Sequence, residues 1–151
     1  MTSILEFMSV DHDRLDHTFA EFKKLKKEDI NSARVSFRDF KAGLEKHIVW
    51  EEDILFPIFE RGTGMHDTGP TAVMRMEHRQ IKNFLEEIGE KALAGELEGV
   101  DALEIGLLEV LGSHNQKEEN ILYPAIDNLT SEQEKQQAIA KMTEMPSESL
   151  S

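Results

Sequence analysis

Two histidines in this sequence are each followed, four residues later, by a glutamate, and the two pairs stand in strings that resemble each other. His47 and Glu51 lie in HIVWEEDILFP, and His114 and Glu118 lie in HNQKEENILYP, with six of the eleven positions identical. Four residues advance an α-helix by slightly more than one turn, so each imidazole projects from the same face as its carboxylate. Imidazole and carboxylate together are typical ligands of a metal cation.

A shorter echo brings two more histidines into the pattern. Asp11 and His12 are repeated 66 residues later as Glu77 and His78, and the two longer strings are 67 residues apart. Because the two offsets nearly agree, both echoes belong to one internal repeat of about half the chain. The repeat supplies six candidate metal ligands, namely His12, His47, Glu51, His78, His114 and Glu118.

Chance accounts for one histidine–glutamate pair but not for the repeat. The chain has 21 glutamates among 151 residues, so about one histidine in seven has a glutamate four places on by chance. A lone histidine in an apolar stripe is also more often a packed core residue than a ligand. Here all four histidines fall in apolar stripes, where a bare carboxylate is costly unless a cation neutralises it. Two bridging carboxylates would form a dinuclear site, for which iron, manganese and zinc are suitable and iron is the usual choice for oxygen chemistry.

The histidines lie in four segments whose apolar residues recur every three or four positions, as expected of amphipathic helices. No alternating strand pattern flanked by hairpin turns is found. Four long helices joined by short connections predict an all-α, up-down-up-down four-helix bundle. The stripes are Leu5, Met8, Leu15 and Phe19 around His12; Phe37, Phe40 and Leu44 before His47; Met74, Ile81 and Leu85 around His78; and Leu103, Leu107 and Leu111 before His114.

Capping and breaking residues predict some of the helix ends. Asn31 or Ser32 is expected to cap the second helix, and Pro57 is expected to kink or stop it. Pro70 suits the first turn of the third helix.

The distances of the histidines from the predicted turns place them in pairs. With the first turn near Asp29, His12 lies 17 residues before the turn and His47 lies 18 residues after it. The third turn gives a similar result for His78 and His114. At about 1.5 Å of rise per residue, each mismatch is only a few Å. We therefore expect two level histidine pairs rather than one level quartet.

Composition limits the domain count and the partners. We expect one domain over residues 1–145, in which Ser131 and Glu134 form a capping box for a short fifth helix. Residues 146–151 are expected to form a polar, disordered tail. With 17 basic and 30 acidic side chains, the formal net charge of −13 disfavours nucleic acid and anionic membranes as partners.

Other classes of site and location are limited by what the composition lacks. The absence of cysteine excludes disulfides, thiolate metal sites and iron–sulfur clusters. No apolar run approaches the roughly 20 residues that cross a bilayer, and no signal-peptide pattern is present. A cytoplasmic protein with a small-molecule ligand is the expectation. The run of lysines is expected to be a solvated helix end and comprises Lys23, Lys24, Lys26 and Lys27.

These residues carry a resemblance to a known family. The repeated pattern H-x-x-x-E-E-x-I-L-[FY]-P, with the acid–histidine pairs at 11–12 and 77–78, resembles the hemerythrin-like (HHE cation-binding) domain family over about residues 4–129. The resemblance implies a non-heme diiron centre, in which two iron ions (Fe2+/Fe3+) share an oxo or hydroxo bridge. It also implies that the six candidate residues are the ligands and that Glu51 and Glu118 bridge the irons.

Two departures from the oxygen-carrying hemerythrins bear on function. Those proteins have a further histidine where this sequence has Met74, and an aspartate where it has Glu119. The pattern is that of the four-histidine, two-glutamate variety. We therefore expect a protein that binds or senses dioxygen, nitric oxide or a related small oxidant, rather than a simple oxygen carrier or an enzyme.

Other functions for the same site are weighed against this one. The centre could belong to an enzyme that reduces peroxide or nitric oxide, or to an iron-centre repair or iron-handling protein. Repair-type members of the family typically carry a cysteine-containing segment, and this sequence contains no cysteine. A ferritin-like carboxylate protein is largely excluded, because no histidine has a glutamate three residues before it. A zinc-stabilised bundle without a redox role is the remaining alternative.

Four further residues are predicted to surround the ligands, namely Asp16, Glu77, Met74 and Tyr123. Asp16 follows His12 by four residues and is expected to fix the orientation of that imidazole. Glu77, Glu52 and Glu119 are all expected to point off the main stripe, and of the three Glu77 is favoured as an outer contact of the ligands.

The other neighbours are expected to be structural. Phe56 occupies the place of Tyr123 in the repeat, which indicates that packing explains the tyrosine. Met74 is most simply a core residue. His17 lies about 140° around the helix from the first histidine, and His66 lies in a glycine-rich stretch, so neither is a predicted ligand.

Overall fold

A computed structural model describes residues 2–146 of the chain, and the described part is helical without β-strands. Of the predicted tail, residues 147–151 lie outside the described residues. The helices are α1 (Ile4–Glu28), α2 (Ile30–Trp50), the π-helix π1 (Glu51–Leu55), α3 (Phe56–Thr63), α4 (Pro70–Ala94), α5 (Val100–Lys117), the π-helix π2 (Glu118–Leu122), α6 (Tyr123–Leu129) and α7 (Glu132–Glu144).

Four long helical runs form the predicted bundle. The segments α2, π1 and α3 follow one another without a break over residues 30–63, and α5, π2 and α6 do so over residues 100–129. With α1 and α4 they form the four helices of the up-down-up-down bundle, which is confirmed. The short fifth helix, α7, begins at the predicted capping box of Ser131 and Glu134 and packs against α1 and π1. Within the described range, no helix is both long and apolar enough to cross a membrane.

The turns between the helices are short and specifically capped. Asp29 alone separates α1 from α2, and its side chain accepts hydrogen bonds from the backbone N–H groups of Asn31 and Ser32. The predicted cap at Asn31 or Ser32 is therefore wrong, because the acid before them satisfies the free N–H groups of the first turn. Between α4 and α5 the chain turns at Gly95 and Gly99, whose φ angles of 75° and 84° favour glycine.

The two prolines of the doubled strings are accommodated by wider helical turns. The prediction that Pro57 kinks or stops the second helix is wrong in its second alternative, because the helical run continues to Thr63. The proline ring would collide with the carbonyl four residues earlier in a regular α-helix. A π turn shifts the register instead, so that the N–H of Phe56 donates to the carbonyl of Glu51, five residues back. Glu118 and Tyr123 are joined in the same way.

The core consists of two apolar clusters with a layer of buried polar side chains between them. One cluster fills the bundle toward the turn between α1 and α2, and its largest side chains are Phe19, Phe22, Phe37 and Phe40. The other is closed by α7 and includes Ile4, Met8, Trp50, Phe56, Phe59, Met74, Tyr123 and Met142. The four predicted ligand histidines stand in sequence between members of the two clusters, so the candidate site lies in the interior of the bundle.

Candidate metal centre

All six predicted ligands are buried, and the structure brings them together. Both glutamates are 0% exposed, and no histidine of the set exceeds 4%. Donor atoms of His12, His47 and Glu118 lie within 4.8 Å of one another. A second group with the same property consists of Glu51, His78, His114 and Glu118. Glu118 belongs to both groups, so the two groups form one cluster.

The histidines lie in two pairs, as the distances from the turns predicted. The ring centroids of His12 and His47 are 4.8 Å apart, and those of His78 and His114 are 4.9 Å apart. Each pair comes from one helical hairpin and therefore from one half of the repeat. The cluster is consequently built from two similar halves.

Each glutamate presents one oxygen to each histidine pair. Oε1 of Glu51 lies 3.0 Å from Nε2 of His78, and Oε2 of Glu51 lies 3.9 Å from Nε2 of His47. Oε1 of Glu118 lies 3.3 Å from Nε2 of His12, and Oε2 of Glu118 lies 3.1 Å from Nε2 of His114. The two carboxylates therefore connect the two halves of the cluster.

The outer nitrogen of every histidine in the cluster faces a second carboxylate. The Nδ1 distances are 3.3 Å from His12 to Glu119, 2.8 Å from His47 to Asp11, 2.6 Å from His78 to Glu52 and 2.9 Å from His114 to Glu77. A carboxylate can only accept a hydrogen bond, so each Nδ1 carries the proton and donates. This assignment leaves the lone pair of each neutral imidazole on Nε2, which faces the inner carboxylates.

The inner atoms of the cluster require a positive charge between them. An Nε2 lone pair and a carboxylate oxygen are both acceptors, and burying them together is costly unless a proton or a cation lies between them. Oε2 of Glu118 illustrates the need, because it is buried without a hydrogen-bond partner although Nε2 of His114 is only 3.1 Å away. A metal cation contacting both atoms would satisfy them, so the donor set fits a metal.

Protons can also supply this charge, and the pKa values reflect it. Burial alone would lower the pKa of His114, but the charges and hydrogen bonds of Glu118 and Glu51 outweigh burial and raise the pKa to about 11. The pKa values of His12 and His78 are raised as well, because their buried rings face the same carboxylates. Burial raises the pKa of the Glu51 carboxyl, yet the hydrogen bonds and positive charges around it leave that pKa well below its usual range. Carboxylates and imidazoles therefore stabilise each other's charged forms.

Tyr123 lies at the centre of the cluster, and packing alone does not explain it. Its hydroxyl is 2.7 Å from Oε2 of Glu51 and 2.9 Å from Oε1 of Glu118, so its proton can be donated to either carboxylate. Burial and the charges of these two carboxylates raise the pKa of the phenol well above its usual value. Phe56, its counterpart in the repeat, stacks on the His78 ring with a centroid separation of 5.6 Å.

Of the other two predicted neighbours, Asp16 does not take its expected place beside His12, whereas Met74 is a core residue as expected. Asp16 is exposed on the surface of α1, and the carboxylate that contacts Nδ1 of His12 is Glu119 from π2. Met74 is buried in the apolar cluster closed by α7. His17 is exposed, and His66 is 75% exposed beside Asp67, as expected of non-ligands.

Sequence reasoning missed three of the four outer acids. In the sequence Asp11 stands out only as part of the repeated string, and Glu52 and Glu119 rank behind Glu77 as outer contacts, although all three bond an Nδ1 atom. A signal was present, because an acid accompanies the candidate ligands in both halves: Asp11 matches Glu77, and Glu52 matches Glu119. Only Glu77 was predicted in this role, and it also binds Lys117 at 2.5 Å.

A surface pocket reaches the edge of the cluster between α1 and α5. Its volume is about 230 Å³, and His12 and Glu119 form part of its wall. Its other lining residues are Asp13, Asp16, Leu108, Leu111, Gly112, Asn115 and Gln116. The pocket thus brings solvent-accessible space up to His12 and Glu119 at the edge of the buried site.

Comparison with known proteins agrees with this arrangement. The family model described as hemerythrin HHE cation binding domain matches residues 3–126. The iron-sulfur cluster repair protein YtfE of Edwardsiella ictaluri is 34% identical over 89 residues, which are 54% of this chain and 40% of that protein. Proteins of the same name from Salmonella schwarzengrund and Escherichia coli O1:K1 are 40% and 42% identical over 45 residues, which are 30% of this chain and 20% of each relative. The chain thus matches less than half the length of these relatives. No solved structure matches it significantly.

Proposed function

The chain belongs to the hemerythrin HHE cation-binding domain family, and from this premise we propose that it holds two iron ions in the buried cluster and there binds a small oxidant such as dioxygen or nitric oxide. One observation carries the proposal: each inner glutamate presents one oxygen to each histidine pair. In the proposed arrangement His12 and His47 hold one ion, and the other histidine pair holds the second. Glu51 and Glu118 bridge the two ions.

The spacing of the donor atoms supports two bound cations. Ligands on neighbouring corners of an octahedron with bonds of about 2.1 Å lie about 3.0 Å apart. The Nε2-to-oxygen distances of 3.0 Å at His78, 3.1 Å at His114 and 3.3 Å at His12 are close to this value. Three of the four separations therefore match those of ligands on shared cations, and the fourth, between Glu51 and His47, is longer at 3.9 Å.

The chemistry of the donor set supports iron. A mixture of imidazole and carboxylate ligands, with open positions, is typical of non-heme iron proteins that react with oxygen. Iron bound here would supply one-electron redox chemistry to a small ligand. The protein's contribution is to hold each imidazole by its Nδ1 bond and to keep bulk water out of the cluster, whose inner glutamates have no exposed surface.

The pocket beside His12 supports a neutral ligand. Asp13, Asp16 and Glu119 line it, so its potential is negative and repels small anions. Dioxygen and nitric oxide carry no charge and are not repelled. We therefore expect neutral diatomic molecules to enter more readily than superoxide or azide.

The test is an anaerobic titration of the reduced, iron-loaded protein. Dioxygen or nitric oxide should change the visible absorption in a saturable manner, with one ligand per two irons, and removal of the gas should reverse the change. Absence of any spectral change would overturn the proposal. Continuous consumption of the oxidant, without an accumulating bound form, would favour an enzyme that reduces peroxide or nitric oxide.

Iron handling is the second candidate function, and it rests on the similarity to the relative named as an iron-sulfur cluster repair protein. In this role the iron would be cargo and would leave the cluster. An iron-transfer assay separates iron handling from ligand binding. In this assay the iron-loaded chain is mixed with sulfide and with an acceptor protein from which the iron–sulfur cluster has been removed. Iron transfer faster than release to a chelator of equal affinity would support the second candidate, whereas retention of the iron would support the first.

A further inference from the structure

The two halves of the cluster differ at one pair of equivalent positions. Tyr123 and Phe56 occupy the same place in the doubled strings, directly before a proline. Phe56 presents only a ring face to His78, with an interplanar angle of 11°. Tyr123 instead directs a hydroxyl among the donor atoms of the other histidine pair. The repeat is therefore symmetric in its histidines and glutamates but not in this oxygen.

The hydroxyl oxygen of Tyr123 has the position of a ligand on the side of His12 and His47. It lies 3.4 Å from Nε2 of His12 and 3.3 Å from Nε2 of His47. Its distances to the nearest oxygens of Glu51 and Glu118 are 2.7 Å and 2.9 Å. All four values are close to the separation of about 3.0 Å between neighbouring ligands of one octahedral cation.

The surroundings of this oxygen indicate that it does more than hold a carboxylate in place. A phenol has one proton and can donate it to one acceptor at a time, yet two carboxylate oxygens and two imidazole nitrogens lie within 3.4 Å of this oxygen. Tyr123 is 0% exposed, so bulk solvent does not reach this oxygen. A cation between the phenol oxygen, the two Nε2 atoms and the carboxylates would satisfy all of them together.

We propose that Tyr123 coordinates, through its phenol oxygen, the cation held by His12 and His47, which makes the two metal positions chemically different. The proposal rests on the proposed function to the extent that a cation must occupy the cluster. Binding releases the phenol proton, as is usual when an acidic side chain becomes a metal ligand. The position at the other histidine pair receives no phenol oxygen, because its counterpart is Phe56. A ferric ion bound at His12 and His47 would carry a phenolate and therefore a tyrosinate-to-iron charge-transfer band.

The chain is favourable for a direct test because it contains one tyrosine. We would titrate the metal-free protein with Zn2+, which is redox-silent, and record the ultraviolet difference spectrum of tyrosinate together with the bound metal. One tyrosinate per chain should form as the metal binds. Two bound cations without tyrosinate would overturn the role of Tyr123 and leave the proposed function intact. Failure to bind any cation would overturn both.

Variants provide the matched comparison. Tyr123→Phe should be tolerated in the fold, because phenylalanine occupies the equivalent place at Phe56. It should abolish the tyrosinate signal, remove tyrosinate modes from the resonance Raman spectrum of the ferric protein and weaken one of the two binding steps about 10–100-fold. Trp50→Phe is the control, since the Trp50 ring also lies beside His47, with a centroid separation of 6.1 Å, and this variant should keep the tyrosinate signal. Equal weakening of both binding steps in Tyr123→Phe, or none, would contradict coordination at one position.

Discussion

Nδ1 of His47 donates a 2.8 Å hydrogen bond to Oδ2 of Asp11, the residue that precedes His12 on the neighbouring helix. The other half of the repeat has the same relationship, because Glu77 precedes His78 and accepts a 2.9 Å bond from His114. Each acid of the first helix thus holds the histidine of the second. The two helices of a hairpin cannot rotate independently without breaking this bond, so the acids fix the direction in which the inner Nε2 atoms point.

Replacing Asp11 by alanine should weaken metal binding about 10–100-fold, because the His47 ring loses the group that fixes its orientation and tautomer. Burial raises the pKa of Asp11, but His47 and Arg14 outweigh burial and keep that pKa below its usual value, so the charged carboxylate is the form that is lost. Competition with a chromophoric chelator measures the effect. Asp13→Ala removes an exposed acid two residues away and should change affinity little. Equal affinities for the two variants would contradict the role of Asp11.

The metal-free protein should lose stability as the pH rises above neutrality. The folded-state pKa of His114 is raised to about 11, against about 6.5 in the unfolded chain. A raised pKa contributes stability that is fully present below pH 6.5 and is lost progressively toward pH 11. The free energy of unfolding should therefore fall between pH 7 and pH 10, because over this range the folded protein keeps a proton that the unfolded chain has lost.

Urea unfolding of the metal-free protein at several pH values measures this dependence. His114→Gln should reduce the slope, whereas His66→Gln, which replaces an exposed histidine, should leave it unchanged. A free energy of unfolding that rises over the same range would contradict the assignment of protons to the inner imidazoles.

Filling the pocket beside His12 should slow access without removing the metal. Gly112 lies on the pocket wall, and a Cβ atom built there meets nothing within 4 Å. Gly112→Leu should therefore fit, improve helix propensity and obstruct the route. Stopped-flow reaction of the reduced iron form with dioxygen should be several-fold slower at unchanged iron content. Ser113→Leu places the same side chain on the neighbouring exposed position outside the pocket and should react at the normal rate.

Lys26→Met should destabilise the fold by about 1–3 kcal/mol, because it leaves the carboxylate of Glu104 without its cation. Nζ of Lys26 lies 2.6 Å from Oε1 of Glu104, and the two side chains are 8% and 5% exposed. The expectation that the lysine run is a solvated helix end is therefore wrong for Lys26, which joins the end of α1 to the start of α5. Chemical denaturation measures the loss. Lys27→Met, at an exposed neighbour, is the control, and equal stability of the two variants would contradict this account.

The helices and the pairing of the histidines could be predicted because both depend on local regularity. An apolar stripe with a period near 3.6 predicts a helix without reference to its partners, and equal distances from a turn place two residues at one level. The helical period also places His47 and Glu51 on one helix face. It says nothing about contacts that cross between hairpins, such as the bond between His78 and Glu52, because these depend on the rotation of each helix within the bundle.

Two local features escaped prediction for a different reason. The π turns at Glu51 and Glu118 accommodate the prolines downstream, whereas the sequence predicts only that Pro57 kinks or stops its helix. The sequence places Tyr123 beside the ligands, but its repeat counterpart Phe56 favours packing over a role for the hydroxyl. A repeat shows what two halves share, and it is a poor guide to the single atom by which they differ.

The most direct test of a bridged pair of metal ions is an anaerobic titration of the metal-free protein with Fe2+, performed in parallel on Glu118→Ala and Glu119→Ala. The unaltered chain should bind two irons. Glu118→Ala should lose both ions together, because the inner carboxylate faces both histidine pairs. Glu119→Ala removes only the acid beside His12 and should still bind two irons, about 10–100-fold more weakly. A single iron in the unaltered chain, or one iron retained in Glu118→Ala, would contradict the bridged centre.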